Sequence, residues 1–175
     1  MEASQKEIHR IFGNKLRIRV CGICFKENKI LLIRHHNIGK QGYLWAPPGG
    51  GMEFGENAEE CLKREMLEET GLDVSIKRMM FVNEYISHPL HAIELFFETE
   101  ITGGQLITGK DPEMPEERQL ISDASFIDLD TIRSMDKQTL HNLFNYAESK
   151  VEILRLNGYF FQNSQSGKTN PTLNN

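Results

Sequence analysis

Apolar and polar residues alternate from Leu16 to Val20, and short apolar stretches follow at Cys21–Phe25 and Ile30–Ile33. This pattern predicts two strands, Leu16–Phe25 and Lys29–Arg34, joined by a turn at Lys26-Glu27-Asn28. His35–Gln41 is polar and reads as a loop, and Tyr43-Leu44-Trp45 leads into a turn rich in proline and glycine at residues 47–51. From Ala58 to Thr70 there is no helix breaker, Asn57 precedes the stretch, Glu60 lies three residues beyond Asn57, and Gly71 closes it. That is the signature of a helix with a capping box at its start and a glycine just past its end. Val74–Val82 and Ala92–Ile101 read as further strands, with a turn at Thr102-Gly103-Gly104.

Residues 105–120 are rich in proline and acids and read as a mobile loop, followed by a short strand at Ser125–Leu129. Leu140, Leu143, Phe144 and Ala147 have helical spacing and predict a helix over Lys137–Lys150. A late strand is expected within Leu154–Phe161. There is no internal repeat, so the chain reads as one domain over residues 1–161 with a polar tail, 162–175, expected to be disordered. Strands interspersed with two main helices predict an α/β layered fold.

Composition narrows the functional classes. The 175 residues suffice for one sizeable core, and 39% hydrophobic with 26% charged content describes a water-soluble domain. No apolar run approaches the roughly 20 residues that span a bilayer, and Met1–Glu7 lacks the apolar segment of a secretory signal, so a cytoplasmic protein without a membrane partner is expected. The net charge of −5 argues against stable binding to nucleic acid, which depends on Lys and Arg neutralising phosphates, but not against a small anionic substrate. Cys21 and Cys24 form a C-x-x-C, yet residues three apart on a strand point to opposite faces, which predicts two separately buried thiols.

The chemistry concentrates between Gly50 and Leu72. Gly50, Glu56, Arg64, Glu65, Glu68, Glu69 and Gly71, with apolar Met66 and Leu72, form the pattern Gly, five residues, Glu, seven residues, Arg-Glu-apolar-x-Glu-Glu-x-Gly-apolar. On a helix, Glu65, Glu68 and Glu69 fall within an arc of roughly 100°. Two carboxylates about 4 Å apart repel by roughly 4 kcal/mol at an effective dielectric near 20, and a divalent cation reverses the sign. Carboxylates suit magnesium, with manganese as a substitute, especially where phosphates complete the coordination. A solvated Glu-rich helix, the plain alternative, explains neither the preceding glycines nor the placement of Glu56 and Arg64. Metal-assisted hydrolysis of a pyrophosphate is the chemistry these residues suit. Arg64 stands one turn before Glu68, where it can hold that carboxylate.

This stretch resembles the Nudix box, the signature of the Nudix hydrolases, and matches it at every position. The resemblance covers roughly residues 15 to 130, and it implies an α/β/α sandwich with a mixed sheet. It further implies Glu65, Glu68 and Glu69 as the main metal ligands, Glu56 assisting, the Gly49 carbonyl offered to the metal, and Arg64 orienting the acids. The catalytic base differs among Nudix proteins. A box glutamate is one option and an acid of the later loop another, where Glu113, Glu116 and Glu117 all qualify, with Glu117 favoured and Glu116 close behind. For the substrate, Arg34 can reach a phosphate, and Tyr43 and Trp45 can stack on a base, unless the arginine is merely exposed and the aromatics fill the core. The expected activity is cleavage of a nucleoside diphosphate linked to another moiety, such as a nucleotide sugar or an ADP-ribose-like compound. The competing readings are a regulatory module that senses a nucleotide metabolite and a housecleaning nucleoside-triphosphate pyrophosphatase. Nudix relatives often dimerise, so the resemblance leaves a homodimer open.

Overall fold

Strands β1 (Lys15–Lys26) and β2 (Lys29–His36) form the expected hairpin, but they pair only at its closed end, Phe25 with Ile30 and Lys26 with Lys29. Beyond those pairs the strands part. β1 runs parallel to β5 (Leu90–Gly104) from Lys15 to Cys24, while β2 pairs antiparallel with β3 (Tyr43–Ala46) and β6 (Ile121–Asp128). The opened edge of β1 is taken by the glycine turn: Val20 N–H donates to Gly50 O, Gly22 N–H to Pro48 O and Met52 N–H to Ile18 O. The turn is thereby held as a partner of β1, and its backbone groups are satisfied. The computed structural model describes residues 9–39, 41–110, 119–163 and 168–171.

With β4 (Leu72–Ser87), β7 (Gly158–Asn163) and β8 (Lys168–Pro171), the strand order is β3-β2-β1-β5-β4-β7-β8, with β6 on β2. β4 pairs antiparallel with β5 and parallel with β7, so the sheet is mixed, as the resemblance implied. Helix α1 (Ala58–Thr70) covers one face, packing its Leu62 and Met66 with Val20, Cys24, Leu31 and Val74. The other face packs under α2 (Leu129–Ser134), two 3-10 turns and α3 (Lys150–Arg155). Phe81 and Phe96 stack there with centroids 4.3 Å apart, and Phe160 meets Phe81 edge-on. Alternation along β1 sends Cys21 into this second core and Cys24 into the one beneath α1, both as free thiols.

Several boundaries differ from the pattern-based expectation. The helix expected over Lys137–Lys150 is instead two 3-10 turns, Lys137–Thr139 and Asn142–Asn145, before α3 begins at Lys150. Asp136, His141 and Ser149 each accept a backbone N–H two or three residues on, and such side-chain caps compete with helix propagation. Leu140, Leu143, Phe144 and Ala147 are nevertheless all buried, so the spacing identified the core residues without identifying the helix. β2 continues through His35 and His36, which the polar pattern assigned to a loop, because β3 pairs with both and β6 with His35. Within the tail expected to be disordered, Lys168–Pro171 forms β8 on β7, since ladder hydrogen bonds need only backbone groups. No described helix is long and apolar enough to cross a membrane.

Candidate active site

The acidic cluster is placed by a helix with local instructions at both ends. Asn57 Oδ1 accepts from the N–H groups of Glu59 and Glu60, each at 3.0 Å, and Glu60 returns the bond to Asn57 N–H at 2.9 Å. At the other end Gly71 adopts a left-handed conformation and donates its N–H to Leu67 O. Leu62 and Met66, both fully buried, fix the rotation of α1 against the sheet. That rotation turns Glu65 and Glu69 toward the glycine turn, where they are 5% and 4% exposed.

The turn approaches too closely for any side chain. A Cβ on Gly50 would lie 2.3 Å from the Glu65 carboxylate, and one on Gly49 would lie 2.0 Å from Val20 O. Glu69 Oε2 accepts the Gly49 N–H at 2.7 Å.

Arg64 gathers the acids. Its Nη1 donates to Glu65 Oε1 at 2.8 Å and Glu68 Oε2 at 3.0 Å. Its Nη2 and Nε donate to the two oxygens of Glu56 at 2.8 and 3.2 Å, the fork geometry that favours arginine over lysine. Glu56 Oε1 also accepts the Glu53 N–H at 2.6 Å. The resemblance implied Glu56 as an assisting ligand, and here its carboxylate serves Arg64; those hydrogen bonds hold it low, at about 2. Burial pushes the Glu65 carboxyl up to about 7 against the pull of Arg64.

Five carboxylates, Glu56, Glu65, Glu68, Glu69 and Glu94, face two guanidiniums, Arg64 and Arg19, leaving a local excess of about three negative charges when all are ionised. Among the described residues no three acidic, histidine or cysteine side chains already form a closed cage, because Arg64 draws Glu56, Glu65 and Glu68 to itself. The donor set still fits a hard divalent cation: oxygen ligands on one helix face, a glycine cradle that a Cβ would fill, and a buried carboxyl with an abnormally high proton affinity. Glu65, Glu68 and Glu69 present carboxylates suited to hold it, with Glu56 alongside them on Arg64.

The other expected residues separate. Arg34 lies over the Tyr43 ring, 4.4 Å from its centroid, and Nη1 donates to Ser122 Oγ at 3.3 Å. Trp45 is 9% exposed and belongs to the core beneath α2 and α3, where its carbonyl accepts the His141 N–H. Its indole fills the core, the alternative that the sequence left open. Glu113, Glu116 and Glu117 lie outside the described residues.

A buried polar network was missed by the sequence reading. Arg19 Nη2 donates to Gly49 O at 3.0 Å, and its Nε lies 3.7 Å from Glu94 Oε1. Glu94 Oε2 accepts from Asn83 Nδ2 at 2.7 Å and meets His141 Nε2 at 3.1 Å. His141 Nδ1 accepts the Leu143 N–H, which leaves the ring proton on Nε2 to be donated to Glu94. Burial opposes ionisation of Glu94, but His141, Arg19 and Asn83 outweigh it and hold the carboxyl at about 2. The available signal was an acid set inside the apolar run Ala92–Phe97, and an arginine at a position of β1 that shares a face with Cys21 and Ile23.

An acid-bearing helix docked on a glycine turn beside a mixed sheet defines the Nudix class, and the NUDIX domain model matches residues 15–146: the chain belongs to the Nudix family. It is 39% identical over 101 residues to an ADP-ribose pyrophosphatase of Methanocaldococcus jannaschii, covering 57% of this chain and 59% of that protein. It is 38% identical over 61 residues to an 8-oxo-dGTP diphosphatase of Proteus vulgaris, covering 35% of this chain and 54% of that one. The chain thus spans between half and two thirds of the length of these curated relatives. The fold is shared with an ADP-ribose pyrophosphatase from Streptococcus suis 89-1591, with a TM-score of 0.56 over 83% of this chain and 98% of that one at 22% identity.

Proposed function

We propose that this protein is a divalent-metal-dependent pyrophosphohydrolase acting on a nucleoside diphosphate linked to another moiety, with ADP-ribose the first substrate to test. The observation that carries the reading is the convergence of Glu65, Glu68 and Glu69 on one face of α1, against the Gly49–Gly51 turn, with Arg64 bridging the acids. A relative named for ADP-ribose cleavage, matched over more than half of this chain, supports the substrate class.

When bound, magnesium supplies Lewis acidity to a phosphate oxygen and lowers the pKa of a coordinated water. Glu65, Glu68 and Glu69 provide the charge that holds it. Arg64 keeps Glu65 and Glu68 in orientation, and Glu56 holds Arg64 in turn. A glutamate of the box helix, such as Glu65, is one candidate to accept the proton of the attacking water. Glu116 and Glu117 remain the alternative source of that base. A sensor that bound a nucleotide without cleaving it would need neither the complete acid set nor its buttressing arginine.

Purified protein should be assayed with magnesium against ADP-ribose, nucleotide sugars, dinucleotide polyphosphates and oxidised nucleoside triphosphates. Release of AMP from ADP-ribose is the expected result. Tight binding of members of this panel with no turnover would overturn the hydrolase reading in favour of a sensor, and preference for a triphosphate would move the substrate class.

A further inference from the structure

Glu69 is held from outside its own helix, through the two peptide units that flank Gly49. The Gly49 N–H is donated to Glu69 Oε2 at 2.7 Å, and the carbonyl of the same residue accepts Arg19 Nη2 at 3.0 Å. Arg19 comes from β1, Glu69 from α1, and Gly49 from the turn between β3 and α1. Behind Arg19 stands Glu94 of β5, fixed by His141 and by Asn83 of β4, and Asn83 and Asn142 exchange amide hydrogen bonds at 3.1 and 3.4 Å. A continuous polar chain therefore runs from the 3-10 segment, through three strands, to the acidic face of α1.

Simple neutralisation of Glu94 does not account for this geometry. An arginine that neutralises a carboxylate frequently makes two parallel short hydrogen bonds to it. Here Nε stays 3.7 Å from Glu94 Oε1 and has no hydrogen-bond partner among the described residues, while Nη2 closes to 3.0 Å on the glycine carbonyl. The cation sits nearer the turn than its own counter-ion.

We infer that Arg19 is a positioning residue: its bond to the Gly49 carbonyl fixes the backbone of Gly49, whose N–H in the preceding peptide orients the Glu69 carboxylate, with Glu94 and His141 as the anchor that holds Arg19 in place. This rests on the metal-dependent reading above and adds a distal residue to it. Arg64 orients Glu65 and Glu68 from within α1, and Arg19 does the same for Glu69 from the sheet. A carbonyl oxygen has two lone pairs, so the bond from Arg19 leaves one lone pair of Gly49 O unused.

The test uses the full chain, labelled with 15N and free of metal. The Gly49 amide proton, identified by its response to Glu69→Gln, reports the bond to Glu69. Arg19→Lys and Glu94→Gln should each move that resonance in the same direction as Glu69→Gln. With magnesium and the preferred substrate, Arg19→Lys should lower kcat by about tenfold or more with KM changed less than about threefold, since lysine keeps the charge but not the planar head that spans the Gly49 carbonyl and Glu94. Glu94→Gln should lower kcat less, and the double variant should fall no further than Arg19→Lys alone, because both act through one contact. Glu94→Gln preserves shape and serves as the reading if Arg19→Lys does not fold. An unmoved Gly49 amide in both single variants, or a kcat within about twofold of wild type in folded Arg19→Lys, would overturn the inference. Absence of hydrolysis by the wild-type protein would instead count against the proposed function and leave the metal-free amide comparison intact.

Discussion

Gly50 and Glu65 approach so closely that a single methyl group on the glycine would lie 2.3 Å from the carboxylate. The turn and the helix are therefore matched surfaces, and the position of one acid depends on the absence of a side chain fifteen residues earlier.

Gly50→Ala should displace Glu65. Overpacking of this kind costs about 1–3 kcal/mol, a cost visible in urea denaturation. The larger effect should fall on turnover, with a loss of about 100-fold or more, because a ligand displaced by even 1 Å loses its productive geometry. Wild-type turnover in this variant would show that Glu65 is not needed where the structure puts it.

Activity should vanish in chelator and return with magnesium or manganese. Glu68→Gln and Glu69→Gln should each lower kcat by at least about 100-fold, since each removes a ligand charge. Glu116→Gln and Glu117→Gln, made alone and together, decide between bases: if turnover survives all three while Glu65→Gln abolishes it, the base lies in the box helix.

Opposing pH effects on stability are expected in the metal-free protein. Burial, reinforced by the nearby positive charge of Arg19, lowers His35 from 6.5 to about 3. The unfolded chain then binds more protons than the folded one between those values, so the contribution of His35 rises with pH across about 3 to 6.5. Glu65, raised from 4.5 to about 7 by burial, does the reverse: the folded state keeps the proton, and its contribution falls as pH rises across about 4.5 to 7. Chemical denaturation from pH 4 to 7.5 should show His35→Gln losing stability with rising pH relative to wild type, and Glu65→Gln gaining it. The same slope in all three proteins would contradict both assignments.

Cys21 and Cys24 enter different cores and should neither bridge nor bind zinc. The double change to Ala should cost about 1–3 kcal/mol of stability and leave turnover nearly intact. Stoichiometric zinc in the wild-type protein, lost in that variant, would refute this.

Whatever depends on neighbours within one helical turn was legible from the chain alone. Asn57 and Glu60 cap α1 as their spacing requires, Gly71 ends it, and the acids of residues 65, 68 and 69 share a face because the helix has a fixed period. Cys21 and Cys24 diverge because a strand has a period of two. The pairings decided by tertiary structure lie farther apart. Arg19 meets a carbonyl 30 positions on, Glu94 a histidine 47 positions on, and Trp45 goes to the core because β3 packs beside the 3-10 segment. Strand register and layer packing bring those residues together, and neither is encoded in the spacing along one element. The segment 137–150 marks the boundary between the two regimes. Its apolar residues were destined for burial by their chemistry, but local caps at Asp136, His141 and Ser149 outcompeted the helix that their spacing suggested.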